Sequence, residues 1–552
     1  MAYWSIYKNK NTSSYDALNL DNILVKILSH RNIEPNDVGY FLNPDHFFDP
    51  FSFEGMDKAV KRINKAVESK EKIVIYGDYD VDGVCATSIL WSYLYKNLHA
   101  NVMPFIPSRY TEGYGLNENK IREFRKDGVS LMISVDCGIR DIENAKLAKE
   151  IGLDLIVTDH HLIADNLPKS FVNIHPALGY GNPEICGAAV AFKVVCALNK
   201  KLKYNTEEYL DLVALATICD VSKMRGENRA FVKKGLEVIN SKKRVGIASL
   251  MEVSELDNID VYHIGFVLGP QINAPGRLFD PIYSLRLIST ENREVALSLA
   301  HKLNDFNKER QKLTKEGVLD ARSKLKNESF LNFVFSDKWS EGIVGLIAGR
   351  LTEESGKPSI AMTLSENGIY IGSARSIEGF NIVDLLDRNK DLLLKYGGHE
   401  AAAGLQVREE NILELKNNLK KTAKELFLGK IQEKIIKIDL ELQFSDITLS
   451  LFHKIDLLKP FGVGNPQPVF VIYGVYVMYV VNIGNKDSFV KMKVTDRSKE
   501  KFITAIWFSS PFTTDQIIKF SCIDIVFNLS ENLWNNKREI QMKIIDLKPH
   551  VF

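Results

Sequence analysis

The chain is poor in cysteine, and the six it has (Cys85, Cys137, Cys186, Cys196, Cys219 and Cys522) are scattered, with no CxxC pair among them. That excludes a disulfide framework and argues against a structural zinc site. Five of the six lie in or beside apolar runs, as buried reduced thiols of a cytoplasmic protein do. No apolar run approaches the roughly 18 residues that a membrane-spanning helix needs. The opening stretch MAYWSIYKNKNTSS lacks an apolar segment followed by a small-residue cleavage site, so no secretory signal is expected there. Internal repeats and low-complexity tracts are missing too. Net charge is nearly absent: 71 basic against 70 acidic residues leave +1. A protein that coats duplex DNA nonspecifically is more basic than this, so any nucleic-acid contact must come from local grooves.

What is present is an ordinary globular composition, 45% apolar and 26% charged, over 552 residues. That length exceeds one hydrophobic core, and three or four domains are expected. Residues 1–50 read as a small helical lead-in that ends in the turn NPDHFFDPF. From 51 to 292 apolar strands (IVIYG at 73–77, LMISV at 131–135, DLIVT at 154–158) alternate with helices at 56–69, 84–96 and 141–151, and EEYLDLVALATIC (207–219) reads as a buried helix. Alternation of this kind predicts an α/β domain with a parallel sheet covered on both faces. Residues 293–328 have the spacing of a long, largely solvated connecting helix, weakest at Gly317. A second, smaller α/β unit follows over 331–428, starting at the strand NFVFS. Residues 429–552 change to short strands without intervening helices, the pattern of a small antiparallel barrel.

The chemistry concentrates at strand ends. GDYDVDG places Asp78, Asp80 and Asp82 at alternate positions directly after an apolar strand, where the crevice of an open α/β sheet lies. A solvated turn with capping aspartates would look similar. However, LMISV runs into Asp136 and DLIVT into Asp159-His160-His161, and the buried helix delivers Asp220. Carboxylates this close repel one another unless a divalent cation sits among them. Mixed carboxylate and imidazole ligands suit Mn²⁺ or Mg²⁺, and a carboxylate beside a ligating imidazole fixes its tautomer.

GDYDVDG, SVDCG, TDHH and the Asp220 segment resemble the four motifs of the DHH phosphoesterase superfamily. IPSRYTEGYGL (106–116), LGPQINAPGR (268–277), GSARS (372–376), GGHEAAAG (397–404) and PFGVGNPQPVF (460–470) narrow the resemblance to the RecJ-like single-strand-specific exonucleases, over about residues 45 to 550. The resemblance implies two divalent ions, Mn²⁺ or Mg²⁺, held by Asp80, Asp82, Asp136, His160 and Asp220 with Asp136 bridging. Asp78 would be a further ligand or orient ligands. Tyr76 stands where some members have histidine. A two-ion site activates water and stabilises both attacking and leaving oxygens of a phosphodiester. His161 would face the scissile phosphate as a donor.

Arg109, in a loop with Gly113 and Gly115, reads as a phosphate clamp, since guanidinium binds phosphate in a bidentate way. Asn273 and Arg277, in a Gly- and Pro-bracketed loop, are further candidates for contacting the strand. Ser373, Arg375 and His399, with His399 on a tight turn set by Gly397 and Gly398, match the facing DHHA1-type substrate domain. Ser340, where relatives often carry histidine, has no assigned role. The C-terminal module resembles an OB-fold barrel, with Lys491, Lys493, Phe489 and Trp507 as candidates for holding a single strand. The resemblance further implies 5′→3′ degradation of single-stranded DNA in repair and recombination, by a monomer assisted by a single-strand-binding protein and a helicase. A phosphodiesterase for short oligonucleotides or cyclic dinucleotides is the alternative enzyme, disfavoured by the extra C-terminal residues. A scaffold that has lost its metals is disfavoured by the intact ligand set.

Overall fold

The computed structural model describes residues 3–8, 12–200, 202–325, 330–427, 435–484, 489–534 and 537–551. They form two compact units, one of residues 47–222 and 234–432, the other of 1–46, 223–233 and 433–552. The boundary expected at 428 lies outside the described residues. Among the described residues no helix is long and apolar enough to cross a membrane.

The first unit is built on a five-stranded parallel sheet. Its strands are β1 (Lys72–Tyr76), β2 (Val102–Phe105), β3 (Val129–Val135), β4 (Asp154–Thr158) and β5 (Val172–Ile174), in the order β2-β1-β3-β4-β5. Strands β1, β3 and β4 are buried almost throughout, which is why their sequences are unbroken apolar runs rather than alternating ones. Helices Glu118–Lys126 and Ile142–Glu150 cover the face that carries Val74, Tyr76, Met132, Leu155 and Val157. The central helices α1 (Val81–Ser92), α2 (Gly187–Asn199) and α3 (Leu210–Cys219) are buried nearly all round. Helix α1 starts three residues earlier than its apolar spacing predicts, because the Asp80 carboxylate caps it through the Gly83 N–H at 3.0 Å. Asp82 therefore stands in the first helical turn rather than in a loop.

LGPQINAPGR is also helical, α4 (Gly269–Leu278), despite Pro275 in its interior. The loop expected from its glycines and prolines is corrected. Gly276 comes so close to Tyr79 that a Cβ there would meet its carbonyl oxygen at 2.4 Å, so glycine serves packing at that position and not a turn. The long helix α5 (Arg293–Lys324) follows, and Gly317 is no weak point in it. A Cβ there would meet Ile347 Cδ1 at 2.6 Å, so Gly317 sits where the Ile347 side chain of helix α6 (Glu341–Ser355) packs against α5.

The second sheet runs β9-β10-β8-β7-β6, made of β6 (Asn332–Ser336), β7 (Ser359–Leu364), β8 (Ile369–Arg375), β9 (Lys395–His399) and β10 (Ala402–Arg408). Only the β6–β7 pair is parallel. Gly397 and Gly398 lie in strand β9, paired with Gly404 and Ala403, and are not in the tight turn itself. A Cβ on Gly398 would meet the Ala402 carbonyl at 2.3 Å, so the close strand approach requires glycine.

In the other unit, β11 (Leu440–Glu441), β12 (Phe470–Asn482), β13 (Val490–Thr495), β14 (Ile503–Trp507), β15 (Cys522–Trp534) and β16 (Lys537–Pro549) form one sheet that closes through a β12–β15 pairing. The barrel expected from the short strands is there, with two parallel pairings, β11–β12 and β14–β16, that strand spacing cannot specify. Residues 1–46 are part of this unit rather than a separate lead-in. Strand Tyr3–Ile6 pairs in parallel with Ile435–Ile438, and Leu24, Val25, Ile27 and Leu28 of helix Asn22–His30 enter the core that the barrel strands also line. A segment this short cannot bury its apolar face alone. The motif segment around Pro460 serves the same unit. The fully buried Arg229 donates to the carbonyls of Phe41 and Pro460, and Arg31 to the Asn465 side chain.

Candidate metal centre

Strands β1, β3 and β4 are neighbours, so their C-terminal ends lie side by side, one strand spacing (about 4.8 Å) apart. Sheet order alone thus brings together Asp78 and Asp80 after β1, Asp136 after β3, and Asp159, His160 and His161 after β4. Asp82 comes from the first turn of α1, and Asp220 caps the C-terminus of α3.

Three sets of side chains each gather possible ligand atoms within 4.8 Å of one another: Asp78, Asp80 and Asp136; Asp82, His160 and Asp220; Asp136, His160 and His161. His160 Nε2 lies 3.1 Å from Asp136 and 3.5 Å from Asp82, and its Nδ1 4.0 Å from Asp220. All five ligands expected from the sequence, with Asp78, are in this cluster. Asp136 belongs to two of the sets. Its backbone is left-handed, φ +62°, a conformation that costs a non-glycine residue energy and clusters at functional sites. The Asp136 N–H donating to the Thr158 carbonyl at 2.9 Å holds it there.

The electrostatics favour an ion. Asp78, Asp82 and Asp136 are buried, and among the described residues none of these carboxylates pairs with a lysine or arginine. Asp78 Oδ1 and Asp136 Oδ1 are buried and accept no hydrogen bond. An orphaned buried carboxylate oxygen is costly, and a divalent cation removes that cost. Burial, then the neighbouring carboxylates, push Asp78 up to about 8 and Asp136 well above the usual range. Burial also lifts Asp82 to about 6, against the charge of His160, and raises Asp220. The donor set and the orphaned oxygens fit hard divalent ions such as Mn²⁺ or Mg²⁺.

One element that the sequence reading passed over completes this cluster. Asp82 accepts the N–H groups of Gly187 and Ala188, at 2.7 and 2.6 Å, from the first turn of α2. Gly187 also lies so near Asp136 that a Cβ would meet its Oδ1 at 2.5 Å. The signal was a glycine before a run of alanines at a helix start, in CGAAVA.

Asp159 serves His161 rather than His160, the expected ligand. Its Oδ1 accepts the backbone N–H groups of both histidines and lies 2.8 Å from His161 Nδ1, while Oδ2 accepts from Ile139 N–H. Burial works against both charges, yet the hydrogen bond between them prevails, holding Asp159 down at about 2 and His161 up at about 9. A protonated imidazole is a hydrogen-bond donor at both ring nitrogens. Its Nε2 is 3.3 Å from the hydroxyl of Tyr114, a residue that the sequence reading did not name.

Arginines form a second cluster. The Arg109 guanidinium lies over the Tyr79 ring, 4.3 Å from its centre, and its buried Nε has no partner. Arg277 donates to the Gly342 carbonyl at 3.3 Å, and Arg375 to Ser373 Oγ at 2.7 Å. Burial, then the charges of Arg109, Arg310 and Arg375, bring Arg277 down to about 10. Arg310, from α5, was missed because helix spacing alone cannot show which side of a long helix faces a site. None of the four arginines forms an ion pair among the described residues, so their charges add to one another. Burial and the charges of His161, Arg140 and His160 lower His399, which places it in their field. Ser340 caps α6, and its hydroxyl lies 3.0 Å from that of Tyr110, which also donates to the Arg277 carbonyl. Asn273 is different: its Oδ1 accepts the Val81 N–H at 3.0 Å, so it ties α4 to the aspartate turn and that oxygen is not free for a strand.

On the barrel, strand register sets Tyr479, Lys493, Thr504 and Gln541 in one row, and Val481, Lys491, Ile506 and Lys543 in the next. Phe489 stacks edge-on against Phe508, and Lys543 lies 5.6 Å from the Phe508 ring centre. Trp507, expected on this surface, is buried in the core against Phe512. Alternation along β14 turns it inward.

Family models match residues 72–217 (DHH family, N-terminal domain), 327–426 (DHHA1 domain) and 438–546 (RecJ OB domain). The single-stranded-DNA-specific exonuclease RecJ of Dickeya dadantii is 31% identical over 75% of this chain and 77% of its own length. The chain belongs to the RecJ family. RecJ of Bacillus subtilis is 35% identical over 91% of this chain, which spans only 64% of that relative. The crystal structure of RecJ from Thermus thermophilus in complex with Mn²⁺ superposes with a TM-score of 0.87 at 26% identity, covering 99% of this chain and 79% of that one. A manganese-bound exonuclease RecJ covers 69% of this chain and 96% of its own at 32% identity, with a TM-score of 0.61.

Proposed function

We propose that this protein is a metal-dependent exonuclease that hydrolyses phosphodiester bonds of single-stranded DNA from the 5′ end, in repair and recombination. The observation that carries the reading is the pair of orphaned carboxylate oxygens, on Asp78 and Asp136, in a crevice where adjoining acid and imidazole sets share Asp136. Asp80, Asp82, Asp136, His160 and Asp220 would hold two divalent ions, with Asp78 completing or orienting the set. Bound there, such ions supply an activated water and charge stabilisation at both reacting oxygens.

The chain's own groups do the rest. The Gly187 and Ala188 N–H groups fix the Asp82 carboxylate. His161, kept protonated by Asp159, donates toward the scissile phosphate. Arg109, Arg277 and Arg375, with Ser373 and His399, bind flanking phosphates, and Arg310 adds to that positive field. The lysine and aromatic face of the barrel suits a long single strand better than a dinucleotide. We assign residues 51–292 to catalysis, 331–428 to the facing substrate domain and 429–552 to strand holding. A monomer in the cytoplasm, working with a single-strand-binding protein and a helicase, belongs to the same reading.

The test is incubation of purified protein and Mn²⁺ or Mg²⁺ with 5′- and 3′-end-labelled single-stranded, duplex and tailed DNA. Mononucleotide release from the 5′ label of single strands and 5′ tails is expected. Cleavage confined to dinucleotides would favour the short-oligonucleotide phosphodiesterase, and no metal-dependent cleavage at all would sink both.

A further inference from the structure

His175 follows β5 and is 3% exposed. It is a buried titratable group with no part in the hydrolysis described above. The partners of its two ring nitrogens fix their roles. The Ala177 N–H lies 3.1 Å from Nδ1, and an amide N–H can only donate, so Nδ1 carries a lone pair. Nε2 lies 2.8 Å from the His161 carbonyl oxygen, which can only accept, so Nε2 carries the proton. The ring is therefore a neutral imidazole of defined tautomer, satisfied at both ends. Its backbone is set as well, since the His175 carbonyl accepts the Leu178 N–H at 2.9 Å.

The same strand end also holds the start of the histidine loop, because the Ile174 carbonyl accepts the Asp159 N–H at 3.2 Å. The loop is thus braced at residue 159 by a backbone bond and at residue 161 by an imidazole. Between the braces lies His160, with its ring 3.1 Å from Asp136 and 3.5 Å from Asp82. The His161 carbonyl belongs to the peptide plane that leaves residue 161, so its bond to His175 restrains the short backbone on which both histidine rings are mounted.

We infer that His175 is a positioning residue for the metal centre, whose Nε2–H bond to the His161 carbonyl sets the loop 159–161 and so the places of the His160 and His161 rings. This rests on the nuclease reading for its effect on hydrolysis, but its effect on metal binding can be read without it. A core histidine that only filled space would be replaced without loss by a residue of similar volume. One that positions needs a donor at the ε position, which the amide of glutamine supplies.

The experiment compares full-length wild type, His175→Leu and His175→Gln. Mn²⁺ affinity is read by titration calorimetry, the melting temperature is taken in chelator, and kcat and KM are measured on a short single-stranded oligonucleotide. Loss of an outer hydrogen-bond partner weakens metal affinity or activity by about 10–100-fold. His175→Leu should lose that much in Mn²⁺ affinity and kcat with KM little changed, and His175→Gln should recover most of it. Wild-type Mn²⁺ affinity in His175→Leu, or an equal loss in both variants, would overturn the inference. Should the leucine variant fail to fold, a folded His175→Gln with wild-type Mn²⁺ affinity supports it, and one with weakened affinity overturns it. A wild type that binds Mn²⁺ but cuts nothing would defeat the nuclease reading and leave the calorimetric comparison to decide this one.

Discussion

Asp136 combines a left-handed backbone, near-complete burial, an oxygen without a hydrogen bond, and contact with two ligand sets. Such a residue is poor for stability and good for holding an ion. Asp136→Asn should therefore cut kcat by at least ~100-fold, beyond what outer partners cost. In chelator it should raise the melting temperature, because it removes a buried carboxyl that folding must either protonate or ionise against Asp82, Asp80 and Asp78. Thermal scans with and without Mn²⁺ check both signs; a variant less stable than wild type in chelator would contradict the repulsion.

The same carboxylates give a pH dependence. Folding raises Asp82 to about 6 and Asp78 to about 8, against about 3.9 in the unfolded chain. A raised carboxyl binds its proton better when folded, so its contribution is fully present below about pH 4 and is lost as pH climbs through about 6 to 8. Metal-free protein should thus lose stability over that window. Mn²⁺, which must displace those protons, should bind more tightly across it, with proton release seen by calorimetry in buffers of different ionisation enthalpy. Mn²⁺ affinity independent of pH would contradict it.

Among the elements, α2 matters more than its plain sequence suggests. Its first turn donates two N–H groups to Asp82 and lies against Asp136 without a side chain between them. Gly187→Ala places a methyl 2.5 Å from the Asp136 carboxylate, so either the helix or the carboxylate must move. Overpacking of this kind costs about 1–3 kcal/mol. We expect a lower melting temperature together with weaker Mn²⁺ binding, measured by calorimetry. Unchanged Mn²⁺ affinity would mean that the helix gives way and the carboxylate stays. Helix α4 shows the limit of reading glycine and proline as loop signals. Its Gly276 and Pro275 are buried, and packing outweighed their poor helix propensity.

For the whole molecule, the near-neutral net charge leaves strand binding to local faces. Residues 1–46 share the barrel's core, so deleting the barrel would strand Leu24, Val25, Ile27 and Leu28 in water and confound any binding assay. Substitution on the barrel face is the cleaner probe. Lys491→Ala, Lys493→Ala and Lys543→Ala together should weaken binding of a long single strand and reduce the slope of log affinity against log salt by about 2, near 0.7 per phosphate contact. Rates on a substrate of a few nucleotides should hold. An unchanged slope would move the DNA-holding surface elsewhere.

The α/β class, the barrel and the acid and imidazole residues that gather at the strand ends were legible in the sequence, because each rests on local signals. Strands buried on both faces must be apolar throughout, and aspartates and histidines at their ends stand out against that background, as Asp78, Asp136 and His160 do. Tertiary structure alone decided the rest. It buried Trp507 and exposed Phe508, made a helix of 269–278, gave Asp159 to His161 rather than to His160, and joined Tyr3–Ile6 to Ile435–Ile438. It also brought Gly187, Arg310 and His175 to the site from segments with no motif of their own. Those placements depend on hydrogen bonds and packing between residues far apart in the chain, and spacing along a sequence carries no record of which distant segment fills a given space.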